Sequence, residues 1–162
     1  MTRERRILIV EDSDDDYAAM MWAWEKAQIK TPFVRYNDGE SALEFLKRSA
    51  SESDPRHGDL PALVLLDLNL QRQDGRAVLA EIKIDCCLKS IPVVIMTTSA
   101  NPKDLEACYA LGANSYIVKP FELTEFKDTL QKLVAYWMEV VRLPSSGEND
   151  ANQKVKAAVD RR

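Results

Sequence analysis

The chain has 162 residues, 46% apolar and 30% charged, with a formal net charge of -4. That length suits one domain with a buried core, and the mix is that of a folded globular protein rather than a disordered or fibrous one. With no basic stripe and a negative balance, electrostatic recognition of nucleic acid is disfavoured and no DNA partner is expected.

The basic start is followed by only Ile7–Val10 before an acidic cluster of Glu11, Asp12, Asp14, Asp15 and Asp16. Such a short apolar stretch cannot form a signal peptide, and no later run approaches membrane-spanning length. Short apolar runs then alternate with segments of helical period, the pattern of a parallel sheet covered on both faces. Strand one is Ile7–Val10, and helix one covers 14–27 with Tyr17, Met20, Ala23, Trp24 and Ala27 on one side. Strand two, Phe33–Tyr36, reads as an edge; Asn37-Asp38-Gly39 turns into helix two, whose apolar side is Ala42, Leu43, Phe45 and Leu46. A polar loop is predicted over 49–61. Strand three, Leu63–Leu66, is continuously apolar and ends on Asp67; helix three follows Asp74-Gly75 and turns Val78, Leu79 and Ile82 inward. Pro92 opens strand four at 93–96, Pro102 suits the first turn of helix four, and Gly112 suits its stop. Strand five, Ser115–Val118, precedes Lys119-Pro120 and a long helix over 122–142. The domain is therefore set at 1–143, with a polar tail at 144–162 in which 152–161 could form a short helix.

Ligands of a doubly wound sheet bind beyond the carboxyl ends of the strands. There the chain places Glu11 and Asp12 after strand one, Asp67 after strand three, Thr97 after strand four and Lys119 after strand five. Three carboxylates at close quarters repel, and a shared cation relieves them. Mg2+ suits the role because it takes few protein carboxylates, keeps waters and shares phosphate oxygens. Asp67 then reads as a nucleophile toward phosphorus, with Lys119 neutralising the transferring group and the Thr97 hydroxyl donating to it. Val10-Glu11-Asp12-Ser13-Asp14 contains no glycine and repels phosphate, which excludes a nucleotide-binding fingerprint in the first loop. Asp14, Asp15 and Asp16 read as cap and dipole residues of helix one. His57, alone in a polar loop, reads as solvated, and Cys86, Cys87 and Cys108 show no metal-ligand spacing. A reduced cytoplasm is the expected setting.

Taken in order, Glu11-Asp12, Leu65-Leu66-Asp67-Leu68-Asn69 with Asp74-Gly75, Thr97 and Lys119-Pro120 resemble the receiver domain of two-component response regulators, over residues 5–135. The resemblance implies the flavodoxin-like strand order 2-1-3-4-5 with five helices. It implies Mg2+ held by Glu11, Asp12, Asp67 and the backbone carbonyl of Asn69, a phosphoryl group delivered to Asp67 by a histidine kinase, a cis Lys119-Pro120 bond, and Thr97 and Tyr116 moving together on phosphorylation. Many receivers carry proline where this chain has Gln71, which implies a less rigid loop here. Asp67-Leu68-Asn69-Leu70, Thr97-Thr98-Ser99 and Gly112-Ala113-Asn114-Ser115-Tyr116 further resemble single-domain regulators paired with phytochrome-type histidine kinases. Such a protein is a phosphoacceptor that supports its own phosphotransfer and dephosphorylation rather than an enzyme with a separate substrate.

Two surfaces stand out. Met21 and Trp22 leave the inward side of helix one, and an apolar patch there is expected to dock the kinase. On the last helix, Tyr136, Val140 and Leu143 widen the core stripe of Phe126, Leu130, Leu133, Val134, Trp137 and Val141, which predicts a homodimer with Trp137 also at the contact. Alternative readings are a constitutive docking module with vestigial acids, and a phosphohydrolase working through an aspartyl phosphate. The second would call for an acid two residues after the nucleophile, where this chain has Asn69.

Overall fold

In the computed structural model, which describes residues 4–51 and 59–144, five strands run parallel in one sheet ordered β2-β1-β3-β4-β5. They are β1 (Ile7–Val10), β2 (Phe33–Tyr36), β3 (Leu63–Leu66), β4 (Val93–Thr97) and β5 (Ser115–Val118). The helices are α1 (Asp14–Lys26), α2 (Gly39–Ala50), α3 (Gly75–Ile84), α4 (Pro102–Ala110) and α5 (Leu123–Ala135). This is the doubly wound, flavodoxin-like order anticipated from the sequence.

The inner strands are apolar throughout because side chains on both faces are buried. Leu8, Val10, Val64, Leu66, Val93 and Ile95 meet Leu43 and Leu46 of α2 and Val78 and Leu79 of α3. On the opposite face, Ile7, Ile9, Leu63, Leu65, Val94 and Met96 meet Met20, Ala23 and Trp24 of α1 and Phe126, Leu130 and Leu133 of α5. Each such large side chain contributes roughly 1.5–3 kcal/mol on burial, so slipping a strand by one residue would exchange its two faces and lose most of that. The edge strands β2 and β5 are only partly buried along most of their length.

Local chemistry sets the helix starts. Ser13, Asp38, Asp74, Asn101 and Glu122 each accept a backbone N–H of the following first turn. Gly112 adopts φ 100°, the left-handed stop after α4.

The structure corrects four local expectations. Helix α2 continues through Ser49 and Ala50, assigned above to a loop, and Ser49 is buried. The last helix is not one α-helix to residue 142: α5 gives way to a π-helical turn, Tyr136–Val140, closed by Val141 N–H donating to the Tyr136 carbonyl at 3.1 Å. The wider turn seats Trp137 and Met138 against the α1/α5 core, with the Tyr136 ring edge-on to Trp137 at 5.4 Å, and Val141 then turns extended. The Lys119–Pro120 peptide is trans, since the described residues contain no cis bond. Trans is the intrinsic preference of an X–Pro bond by about 0.5–1 kcal/mol. Finally, Met21 is partly buried against the core beside Trp22, 36% exposed, so the apolar patch expected on α1 is smaller than two fully exposed side chains would make it. His57 and the predicted 152–161 helix lie outside the described residues. No helix among them is long and apolar enough to cross a membrane.

Candidate functional site

Strand register assembles the site. Val10 pairs with Leu66, Leu66 with Ile95, and Thr97 with Val118. The residues that leave the strand ends, Glu11, Asp67 and Lys119, therefore emerge side by side with Thr97 on one rim. Carboxylate oxygens of Glu11, Asp12 and Asp67 lie within 4.8 Å of one another. The ammonium of Lys119 stands among them, donating to Glu11 Oε2 at 2.5 Å and Asp67 Oδ2 at 3.1 Å. Its third bond, 2.8 Å, runs to Asp16 Oδ2.

Each acid is held by further bonds. Glu11 Oε1 accepts the Ser13 N–H at 3.1 Å, and its carbonyl accepts Arg35 Nε at 3.0 Å. Arg35 also pairs with Asp14 at 2.8 Å and covers the Tyr17 ring at 4.1 Å, tying the first loop to β2. Asp12 Oδ2 accepts the Gln71 N–H at 2.7 Å, and Asp67 Oδ1 accepts the Asn69 N–H at 3.2 Å. The loop after Asp67 is closed by a bridge between Asn69 and Asp74 and by Gly75 N–H donating to the Leu68 carbonyl at 3.0 Å.

Burial dominates the Glu11 titration. Taken out of water, and with the Asp67 charge adding to the effect, its carboxyl is pushed up to about 7 although Lys119 and the Ser13 amide pull the other way. Burial alone would lower Lys119; hydrogen bonds to Asp16 and Glu11 and the charge of Asp67 outweigh it, and the ammonium is held above its ordinary value. Four carboxylates thus face one cation, an excess of negative charge in a set of oxygen donors. Those are the demands of a hard divalent ion, so the residues fit the metal implied by the sequence.

Of the residues singled out from the sequence, Glu11, Asp12, Asp67 and Lys119 converge directly. Buried Thr97 joins them through Asn69, whose Nδ2 donates to Thr97 Oγ1 at 3.4 Å; the same oxygen accepts the Ser99 N–H at 3.3 Å. Tyr116 donates its hydroxyl to the Ser99 carbonyl at 2.9 Å and packs against the core, so it bonds the loop that leaves Thr97. Tyr136 and Val140 are 51% and 70% exposed, Trp137 rests on the core, and Leu143 is half-buried. Cys108 is buried; Cys86 and Cys87 are exposed beyond α3, where their Sγ atoms and the Asp85 carboxylate form a second close group away from the rim.

Three features escaped the sequence reading. Asp16, taken there as a cap residue, belongs to the site, and the cap is Ser13. A signal existed: helical side chains lean toward the N-terminus, so a residue in the first turn after β1 points back to the rim. Gln71, read as loosening its loop, tethers Asp12 through a backbone N–H that proline lacks. Gly75 allows the closest backbone approach in the site, because a Cβ there would meet the Asp67 carbonyl oxygen at 2.2 Å.

The response regulator receiver domain family matches residues 7–131. Response regulator Rcp1 of Synechocystis sp. is 40% identical over 141 residues, covering 86% of this chain and 93% of Rcp1. Among solved structures, the phosphorylated cyanobacterial phytochrome response regulator RcpA superposes with TM-score 0.77 at 36% identity, covering 88% of this chain and 99% of that one. The Mn2+-bound form of Rcp1 gives TM-score 0.74 at 40% identity over 86% and 99% of the two chains. With the sheet order, the acidic rim and these likenesses in agreement, the chain belongs to the response regulator receiver domain family.

Proposed function

We propose that Asp67 is the phosphoacceptor of this receiver, charged by a histidine kinase of the phytochrome type with Mg2+ as the metal. The observation that carries the reading is the meeting of Glu11, Asp12 and Asp67 oxygens within 4.8 Å around a buried lysine. A carboxylate oxygen of Asp67 attacks phosphorus, the bond from phosphorus to the donor breaks, and the donor leaves with its electron pair, so that the product is an aspartyl phosphate. Glu11, Asp12, Asp67 and the Asn69 carbonyl would hold Mg2+, which when bound offsets the charge on the phosphoryl oxygens. Lys119 supplies a fixed positive charge beside the reacting carboxylate. Asn69 links Thr97 to this loop, and Tyr116 bonds the loop that Thr97 begins, which supports a joint response of Thr97 and Tyr116 when about 1.5–2 negative charges are added at Asp67. Pairing with a phytochrome-type kinase is supported by likeness to RcpA and Rcp1. A homodimer is proposed through Tyr136, Trp137, Val140 and Leu143, two of which, Tyr136 and Val140, leave large apolar side chains exposed within the π-helical turn.

Incubation with radiolabelled acetyl phosphate and Mg2+ tests the central step. Wild-type protein takes up acid-stable, base-labile label and Asp67→Asn takes up none; label retained by that variant would place the nucleophile elsewhere.

A further inference from the structure

Cys86 and Cys87 take no part in the chemistry of the rim. Adjacent side chains ordinarily diverge, to opposite faces along a strand and by about 100° around a helix. Here they converge. Helix α3 ends at Ile84, and the turn that follows brings the two exposed Sγ atoms to 3.6 Å. The Asp85 carboxylate joins them, so that one ligand atom from each of the three residues lies within 4.8 Å of the others. A search of the sequence for spaced cysteines passes over this group, because its ligands are consecutive and only the turn gathers them.

The turn is fastened at several points. Asp85 Oδ1 accepts the Cys87 N–H at 2.8 Å and the Leu88 N–H at 3.2 Å, and the Asp85 carbonyl accepts the Lys89 N–H at 2.9 Å. Lys83 Nζ donates to the Lys89 and Ile91 carbonyls at 3.2 and 2.8 Å, and Leu88 and Ile91 anchor the segment in the core. A chelating pair gains from such constraint, since the cost of ordering the ligands is met by the fold.

We propose that Asp85, Cys86 and Cys87 form a second metal site, taking a thiophilic divalent cation of the Zn2+ class. A tetrahedral ion bound by two thiolates at about 2.3 Å holds the sulfurs about 3.8 Å apart, close to the separation the turn already provides. The carboxylate supplies a third ligand and water the fourth, and each thiol gives its proton to solvent as it binds. Ligand softness separates this site from the rim. Glu11, Asp12 and Asp67 offer oxygen alone, which suits a hard ion, whereas the sulfur pair favours a soft one. The two also stand at opposite ends of α3: its ten residues, about 15 Å of helix, run from Gly75 beside Asp67 to Ile84.

The test titrates Cd2+, a stand-in for Zn2+ that reports on sulfur, into the full chain kept reduced, anaerobic and saturated with Mg2+. The signal is thiolate-to-cadmium charge-transfer absorption, which the all-oxygen rim cannot produce. Wild-type protein should bind one Cd2+ per chain with this band, and Zn2+ should displace the ion and erase it. Loss of an outer partner of a metal site costs about 10–100-fold in affinity, so loss of a ligand in Cys86→Ser or Cys87→Ser should cost at least about tenfold. Asp85→Asn keeps an oxygen for the two amides but removes the charge, and should weaken binding by a smaller factor with the band retained. Both cysteines are exposed, so their serine variants should unfold at the wild-type temperature without Cd2+, and a lost band then reports a lost ligand. Absence of the band in wild type, its survival in the double serine variant, one ion shared by two chains, or unchanged affinity in Asp85→Asn would overturn the site.

Discussion

Gly75→Ala is the most direct way to ask whether backbone packing holds the reactive carboxylate in place. A Cβ at this position would lie 2.2 Å from the Asp67 carbonyl oxygen and 2.7 Å from Leu68 Cα, where ordinary contact begins at 3.4 Å. Both neighbours are backbone, so neither can rotate aside. The Asp67 segment or the start of α3 has to move by about 1 Å, a displacement of the size that costs about 100-fold when reacting groups are misplaced. Overpacking of this kind costs about 1–3 kcal/mol. In a domain of this size about 2 kcal/mol lowers the melting temperature by about 4–8 °C. Gly39→Ala is the matched control, since its added Cβ would press on side-chain atoms of Val78 and Gln73, which can shift. The assay pairs thermal unfolding with the initial rate of Mg2+-dependent labelling by acetyl phosphate. Gly75→Ala should lose both stability and at least about tenfold in rate, within the range for a misplaced nucleophile, whereas Gly39→Ala should lose stability with little change in rate. A Gly75→Ala protein that labels within a factor of two of wild type would refute the argument that this close approach positions Asp67.

Two further predictions follow from the site and the last helix. Because folding raises the Glu11 carboxyl from an ordinary 4.5 to about 7, the proton is bound more tightly in the folded state; its stabilising contribution is present below pH 4.5 and lost as the pH rises through about 7. In EDTA the domain should lose on the order of 3 kcal/mol over that interval; Glu11→Gln should flatten the slope, and an identical slope in that variant would assign it to other groups. Asp38 and Asp74, whose carboxyls are held below the usual range by Ser41 and Arg76 respectively, act with the opposite sign, losing their contribution only as the pH falls below about 3.8, so they do not mask this window. Tyr136→Ser combined with Val140→Ser should convert a sedimenting dimer into an 18.4 kDa species at micromolar concentration, and a wild-type protein that already sediments as that monomer would rule the dimer out.

Most of the rim was legible in the sequence because sheet register places it. Once strands of continuous apolar character are recognised at Ile7–Val10, Leu63–Leu66 and 93–96, the residues that follow them stand side by side whatever their identity. Glu11, Asp67, Thr97 and Lys119 needed only correct strand ends. What stayed hidden depends on geometry that linear order does not carry. The contact of Asp16 with Lys119 depends on where the first turn of α1 points, and that of Gln71 with Asp12 uses a backbone amide that no side chain advertises. The trans Lys119–Pro120 bond was missed for a different reason: its isomer was carried over from resemblance, and the intrinsic difference of about 0.5–1 kcal/mol gives the local sequence little say. The end of α5 was missed because helical periodicity assumes 3.6 residues per turn, and a π-helical turn breaks that count at Tyr136.

These two sets of residues divide the labour of the site. Register of β1, β3, β4 and β5 brings the nucleophile, the metal-binding acids and the lysine together, and it is protected by the two cores on either face of the sheet. The hydrogen bonds that decide how the lysine and the acids are shared come from 13–16 and 69–75, segments outside the sheet and partly open to water. Substitutions in the strands should therefore act first on stability, whereas those at Asp16 or Gln71 should act first on reactivity. A proline at Gln71 makes the contrast sharp: it would delete the 2.7 Å bond to Asp12 while leaving every strand pairing intact.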